Sequence, residues 1–362
     1  MIINDIKIGK IDLPLIKTYR KARRIIDTPE EIVIKVVADT GEIGIGSAAA
    51  TASITGDIEC SIINAIKYIK PQLIGKDIDN LEGLMKIIDN SIVNNSSAKA
   101  ALDMAIYDLF GKKYGIALYK LFGGYKTNLI TDLTIYYGTV EEMVTKSLEA
   151  IMQGYTHLKI KASSDIEASL ERIIAIKKAV RKGIKIRIDA NQSWRPKEAV
   201  KTIRKLEDMG LDIEFVEQPV KAWDLEGLKY VTDNVETNIL ADESVFGPPE
   251  AFKIIKDRSA DLINIKLMKC GGFHNAIKIC NMAETMGIKC MMGCMLESKI
   301  GITAAASLAV AKVNMTKADL DTMILFKEDS IVGGAIVDGN QITVVDEPGL
   351  GIKEIKGWQE TL

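Results

Sequence analysis

The chain of 362 residues reads as α/β, a (β/α)7β barrel of the TIM type with an α+β capping domain. Three observations predict this. Short apolar runs, each ending in a charged residue, lead from Lys161 to Asp189, Glu217, Asp242 and Lys266 at intervals of 28, 28, 25 and 24 residues, about one strand plus one returning helix. The first third instead runs strands and then helices, the order of an α+β unit. The tail after Asp321 holds short strands and turns without a helix. The expected division is a capping domain at 1–125, a barrel at 126–322 and a C-terminal segment at 323–362 that returns to the cap.

The elements follow in order. MIINDIKIGKIDLPL alternates polar and apolar residues as a strand does, and lacks the apolar core and cleavage site of a signal peptide. EIVIKVVADTGEIGIGSA is two alternating runs around Asp39-Thr40-Gly41, a β-hairpin. Helical patterns come next near 57–72, 80–90 and 96–112, the last repeating Ala101, Leu102, Ala105, Ile106, Leu109 and Phe110 along one face. Gly123-Gly124 marks the boundary. Strand-like runs then recur at about 130–137, 156–161, 184–189, 212–217, 237–242, 261–266, 288–293 and 317–321. Helical patterns separate the eight runs, so seven helices are expected and the last of the barrel is missing or displaced. Such a repeat places every strand end at one mouth, where barrel enzymes keep their chemistry.

Bulk composition excludes several classes. Lys plus Arg count 47 against 49 for Asp plus Glu, a net charge of −2, so no nucleic-acid footprint or membrane-surface patch is expected. No run approaches the roughly 18 apolar residues of a membrane span. Cys60, Cys270, Cys280, Cys290 and Cys294 are odd in number and lack CxxC spacing, which reads as reduced thiols in a cytoplasmic enzyme. Gly44-Ile45-Gly46-Ser47-Ala48-Ala49 fits a dinucleotide pattern, but it closes a hairpin rather than opening a βαβ unit, and is set aside.

The strand ends carry the chemistry. A lone aspartate there is usually a turn former or a helix cap. Asp189, Glu217 and Asp242 stand at three successive ends, where unpaired carboxylates would repel one another and shift toward protonation. A divalent cation removes that cost, and an oxygen-only donor set suits Mg²⁺, one per subunit with Mn²⁺ as substitute, rather than zinc. Asn191 and Glu243 sit just beyond these ligands and are placed to support them. Lys159 and Lys161 are two apart on one strand and share its inward face. The bland reading makes them ion-pair partners of the acids. The functional one has two adjacent cations lowering each other's pKa, so that one serves as a base. Lys266 lies four strands on, across the mouth. Opposed lysines around a metal can move a proton on either face of one carbon, through an enediolate beside a carboxylate.

These residues resemble the enolase superfamily, in its muconate-lactonizing subgroup, and within that the dipeptide epimerases; the resemblance spans essentially the whole chain. The matching pattern is Lys159-Ile160-Lys161 on the second barrel strand, then Asp189, Glu217 and Asp242, then Lys266 on the sixth. The narrower likeness rests on Asp319-Leu320-Asp321, which in the epimerases holds the substrate's free α-amino group. GCMLESKIGITAAA looks like their seventh-strand region, with Cys294 and Met295 approaching the substrate backbone and Glu297 nearby. Thr134 matches a substrate contact, and TASITGD resembles the lid. Arg24 stands where Ala-Glu epimerases carry an arginine for the γ-carboxylate, with Arg23 beside it as the other candidate. The resemblance implies a Mg²⁺-dependent isomerase acting at the second residue of an L,L-dipeptide such as L-Ala-L-Glu, and a homo-oligomer. An N-acylamino acid racemase, a cycloisomerase or an o-succinylbenzoate synthase shares the lysines and metal, but needs no pair of aspartates for an ammonium. A Schiff-base aldolase on a (β/α)8 barrel would leave three carboxylates unexplained.

Overall fold

Isoleucine and valine supply most of the buried surface of Ile3–Asp12 and Glu30–Ala38, which pair antiparallel in one sheet with Ile43–Ala49; the last two strands are buried on both faces over much of their length. The computed structural model describes residues 1–16, 19–21, 24–26 and 29–361, with backbone alone at 19–21 and 24–26. The Glu30–Ala38 and Ile43–Ala49 strands form the expected hairpin, turned at Gly41 with φ +86°. Helices Glu59–Leu73, Leu81–Ser91 and Ser96–Tyr114 follow within about two residues of their predicted ranges. The Ser96–Tyr114 helix is buried nearly all round because it lies between the sheet and the barrel. Gly44 and Gly46 let it sit there. A Cβ on either would come within 2.0 Å of a helix carbonyl, Ala105 O or Ala101 O. Close packing, not dinucleotide binding, explains those glycines.

One buried carboxylate fastens this helix to the barrel. Asp103 accepts hydrogen bonds from Phe273 N at 2.6 Å and His274 N at 3.1 Å, at the start of the Phe273–Thr285 helix. Burial pushes its pKa up to about 8.

Eight parallel strands form the nearly closed barrel in sequence order: Leu133–Ile135, His157–Lys161, Lys185–Asp189, Ile213–Glu217, Ile239–Ala241, Leu262–Ile265, Lys289–Gly293 and Met315–Asp319. Inward side chains from alternate positions fill its interior, where Phe215, Leu240, Leu262 and Met291 make a separate apolar cluster. Among the described residues no ladder joins the first strand to the eighth. Side chains stitch that seam: Leu320 N donates to Thr131 Oγ1 at 2.8 Å, and Thr134 N to Asp321 Oδ2 at 2.7 Å.

The expected run at 130–137 is two elements. Asn128–Ile130 pairs with Gln341–Thr343, and only Leu133–Ile135 enters the barrel, because buried Thr131 and Asp132 break the run between them. After the eighth strand a 3-10 turn, Thr322–Leu325, stands in place of a helix. The tail is strands and turns, and Gln359–Glu360 pairs with Ile3–Asp12 at the edge of the first sheet. Among the described residues no helix is long and apolar enough to cross a membrane.

Candidate active site

Register decides which side chains meet. Lys161, Asp189 and Glu217 are direct partners across three neighbouring strands and form one row at the mouth. Two residues deeper, Thr134, Lys159, Arg187 and Phe215 form the next row. Asp242 and Lys266 follow directly on the ends of the fifth and sixth strands. The backbone turns sharply just beyond the acids: Asn191, Gln192 and Gln218 hold φ of 42°, 64° and 36°, a region side chains seldom adopt. Such strain clusters at functional sites.

The carboxylates and lysines interlock. Lys159 Nζ lies 3.0 Å from Asp189 Oδ2, 2.7 Å from Glu217 Oε2 and 2.7 Å from Asp319 Oδ2. Lys161 Nζ is 2.6 Å from Asp189 Oδ2, and Lys266 Nζ is 2.7 Å from Asp242 Oδ2. Burial alone would raise Asp189 and Asp242, but Lys159 and Lys161 around the first, and Lys266 and Lys269 around the second, hold both well below the usual range. Glu217 goes the other way, to about 8, through burial and the nearby Asp189 charge. Its Oε2 is buried without an aligned hydrogen bond, although Lys159 is close.

The lysines depart from one expectation. Lys159 does not titrate low. Burial works in that direction, but Asp189, Asp319 and Glu217 outweigh it and raise the pKa well above the ordinary value. Lys266 is raised likewise by Asp242, against its own burial. Carboxylates, not the neighbouring ammonium, dominate each surroundings.

Asp189, Glu217 and Asp242 suit a hard divalent cation. Their donors are all oxygens, they gather positive groups, and Glu217 is buried against the Asp189 charge with Lys159 close to its Oε2. In this arrangement the three carboxylates whose oxygens all lie within 4.8 Å of one another are instead Asp132, Asp319 and Asp321, among the described residues. Ammonium groups from Lys159, Lys161, Lys266 and Lys269 occupy the oxygens of the strand-end acids.

Asn191 N donates to Asp189 Oδ1 at 2.9 Å. Glu243 is buried beside Asp242 with Oε2 unpartnered, its pKa raised by burial and by Asp242. Glu297 Oε1 accepts from Met295 N at 2.7 Å, which fixes the loop carrying Cys294 and Met295. Cys294 Sγ lies 3.3 Å from Asp319 O, and burial pushes its thiol well up. Thr134 meets Asp321 through its backbone. The side chain of Arg24 and all of Arg23 lie outside the described residues; the backbone of Arg24 is in the short strand Arg24–Ile26.

Four polar residues were not foreseen. Lys269 is fully buried, pairs with Asp242 Oδ1, and donates to Asp242 O at 2.5 Å and Asn264 O at 3.1 Å. Asn264 Nδ2 donates to Glu217 Oε1 at 2.9 Å. Gln218 Oε1 accepts from Asp242 N at 2.9 Å and Ser244 N at 3.1 Å, spacing the fourth strand end from the fifth. Asp132 takes Arg187 Nη1 at 2.7 Å beneath the aspartate pair. A signal existed for two of them: Asn264 shares its strand face with Lys266, and Lys269 follows Lys266 by one helical turn.

The chain matches known families along most of its length. Residues 12–123 match the mandelate racemase / muconate lactonizing enzyme N-terminal domain, and residues 142–355 the enolase C-terminal domain-like family. The chain is 51% identical over 356 residues to an L-Ala-D/L-Glu epimerase of Clostridium acetobutylicum, covering 98% of this chain and 99% of that one. A substrate-liganded L-Ala-D/L-Glu epimerase from Bacillus subtilis superposes with a TM-score of 0.95 at 45% identity, over 99% of this chain and 100% of that one. A dipeptide epimerase from Enterococcus faecalis V583, complexed with Mg and L-Leu-L-Tyr, gives 0.94 at 41% identity over 98% and 100%. The chain belongs to the mandelate racemase / muconate lactonizing enzyme family, with its N-terminal capping domain and its enolase-like barrel.

Proposed function

We propose that the protein is a Mg²⁺-dependent dipeptide epimerase, inverting the α-carbon of the second residue of an L,L-dipeptide. One observation carries this reading. Asp319 ends the eighth strand and Asp321 follows it beside Thr134, both buried, and Lys159 joins Asp319 to Asp189 and Glu217. A free α-ammonium at the aspartates then directs the dipeptide's C-terminal carboxylate toward the strand-end acids, between Lys161 and Lys266.

Asp189, Glu217 and Asp242 would hold Mg²⁺, which when bound sets positive charge against the substrate carboxylate as the adjacent carbon loses its proton. Lys161 and Lys266 come from the second and sixth of eight strands, so they stand on opposite sides of that carbon. One takes the proton and the other returns one to the opposite face. Lys159 is the fixed cation between, and Asp319, which is no metal ligand in this scheme, keeps a carboxylate against it. Such proton transfer contributes about 10²–10⁴-fold, and the rest comes from the charges arranged in advance.

Relatives named for L-Ala-D/L-Glu and for hydrophobic dipeptides share over 40% identity with the chain. Arg24 favours an acidic second residue, so L-Ala-L-Glu is the first substrate to test. Residues 1–125 serve as the specificity cap and 126–322 as the catalytic barrel. A screen of free dipeptides in deuterated water with Mg²⁺, read by mass gain, tests the assignment. Equal turnover of N-acetylated and free dipeptides sinks it in favour of an N-acylamino acid racemase.

A further inference from the structure

Asp319 and Asp321 do not stand alone. Asp132, on the turn before the first barrel strand, brings a carboxylate oxygen within 4.8 Å of one from each. It is fully buried. Its Oδ2 takes Arg187 Nη1 at 2.7 Å, and its Oδ1 has no hydrogen-bond partner. A buried carboxylate oxygen left bare is costly, and structures keep few of them. The local cations do not cover the deficit. Arg187 is shared with Glu214 through Nε at 2.6 Å, and Lys159 is shared with Asp189 and Glu217. Burial and the Asp319 charge raise Asp132 well above its ordinary pKa.

A primary ammonium has three N–H donors. Three oxygens this close place a nitrogen between them within charge-assisted hydrogen-bond reach of all three, about 2.7–2.9 Å. We propose that Asp132 is the third carboxylate of the substrate's ammonium subsite, and that the triad selects dipeptides with a primary amino terminus over N-alkylated ones. This rests on the Asp319/Asp321 reading of the site. Two aspartates would hold a secondary ammonium as well as a primary one, because each has at least two donors. The third acceptor makes the distinction.

The test is Asp132→Asn with three substrates: L-Ala-L-Glu, its N-methyl form and its N-acetyl form. Arg187 holds the oxygen of the new amide, which turns its NH2 toward the pocket and opposes an ammonium. The ammonium is remote from the reacting carbon, so its loss is uniform binding and falls on KM. Expected is a 10- to 100-fold rise in KM for the free dipeptide with kcat within a few-fold, and a severalfold smaller rise for the N-methyl form, which feels the lost charge but has no third N–H contact to lose. Mg²⁺ affinity, measured by calorimetry, stays as in the wild type. A parallel fall for both amines, or an unchanged KM, overturns the role of Asp132. Lost Mg²⁺ binding makes the triad a metal site and overturns it too. Wild-type turnover of N-acetyl-L-Ala-L-Glu equal to that of the free dipeptide instead rejects the underlying ammonium site. If Asp132→Asn does not fold, Asp132→Ser, which leaves room for water against Arg187, carries the same comparison.

Discussion

Lys159 Nζ lies 2.7 Å from Asp319 Oδ2 and at the same time between Asp189 and Glu217. One buried ammonium therefore joins the aspartates proposed for the amino terminus to the acids proposed for the metal. Breaking a buried ion pair by removing one partner costs about 3–5 kcal/mol. Lys159→Met should lower stability by roughly that much in EDTA. Mg²⁺ should recover part of the loss, because the stranded carboxylates gain a cation. Denaturant unfolding with and without Mg²⁺ measures both, and a variant that Mg²⁺ stabilises no more than wild type contradicts the shared-cation arrangement.

Metal removal should abolish turnover. Asp189, Glu217 and Asp242 supply only part of a six-oxygen shell, so EDTA should strip the ion and added Mg²⁺ or Mn²⁺ should restore activity. Full epimerisation in a chelated preparation would contradict the assignment.

Removal of either base should leave a half-reaction. Lys161→Ala and Lys266→Ala should each stop net epimerisation, a loss of at least about 10²–10⁴-fold. Each should still exchange solvent deuterium into one enantiomer of the dipeptide, and the two variants should act on opposite enantiomers. Two-way turnover in either one would falsify the two-base scheme.

Stability should fall as pH rises from about 4.5 to about 8. Glu31 reaches from the first sheet to Ser298 N, at 3.1 Å from Oε2 and 3.2 Å from Oε1, at the start of the Lys299–Ala311 helix. Burial pushes its pKa to about 8, and Glu297 nearby is pushed by burial to about 7. The folded chain then binds a proton in that window that the unfolded chain has released. The stability Glu31 contributes is complete below its unfolded pKa and lost as pH climbs through the folded one. A tenfold change in proton affinity corresponds to about 1.4 kcal/mol, so the loss is on the order of a few kcal/mol. Glu31→Gln, which stays neutral, should flatten the slope in denaturant titrations at pH 5, 7 and 9. An unchanged slope would remove Glu31 as its source.

The sequence by itself determined the barrel and the strand-end residues. Asp189, Glu217, Asp242 and Lys266 were legible because strand, turn and helix repeat at a nearly constant length, and each repeat ends its buried run on a charge. Lys159 and Lys161 were legible because a strand alternates faces. What tertiary structure alone decided is which charges neutralise which. Lys159 reads locally as one of two mutually repelling cations, yet three carboxylates from three other strands surround it and reverse the shift. Asp132 looks like part of a strand, and Lys269 like one residue of a polar turn. Their roles come from partners far along the chain: Arg187 and the aspartates of the eighth strand for the first, Asp242 for the second. Periodicity is local and survives in the order of residues. Charge compensation depends on distances across the barrel, which exist only once the eight strands stand in register.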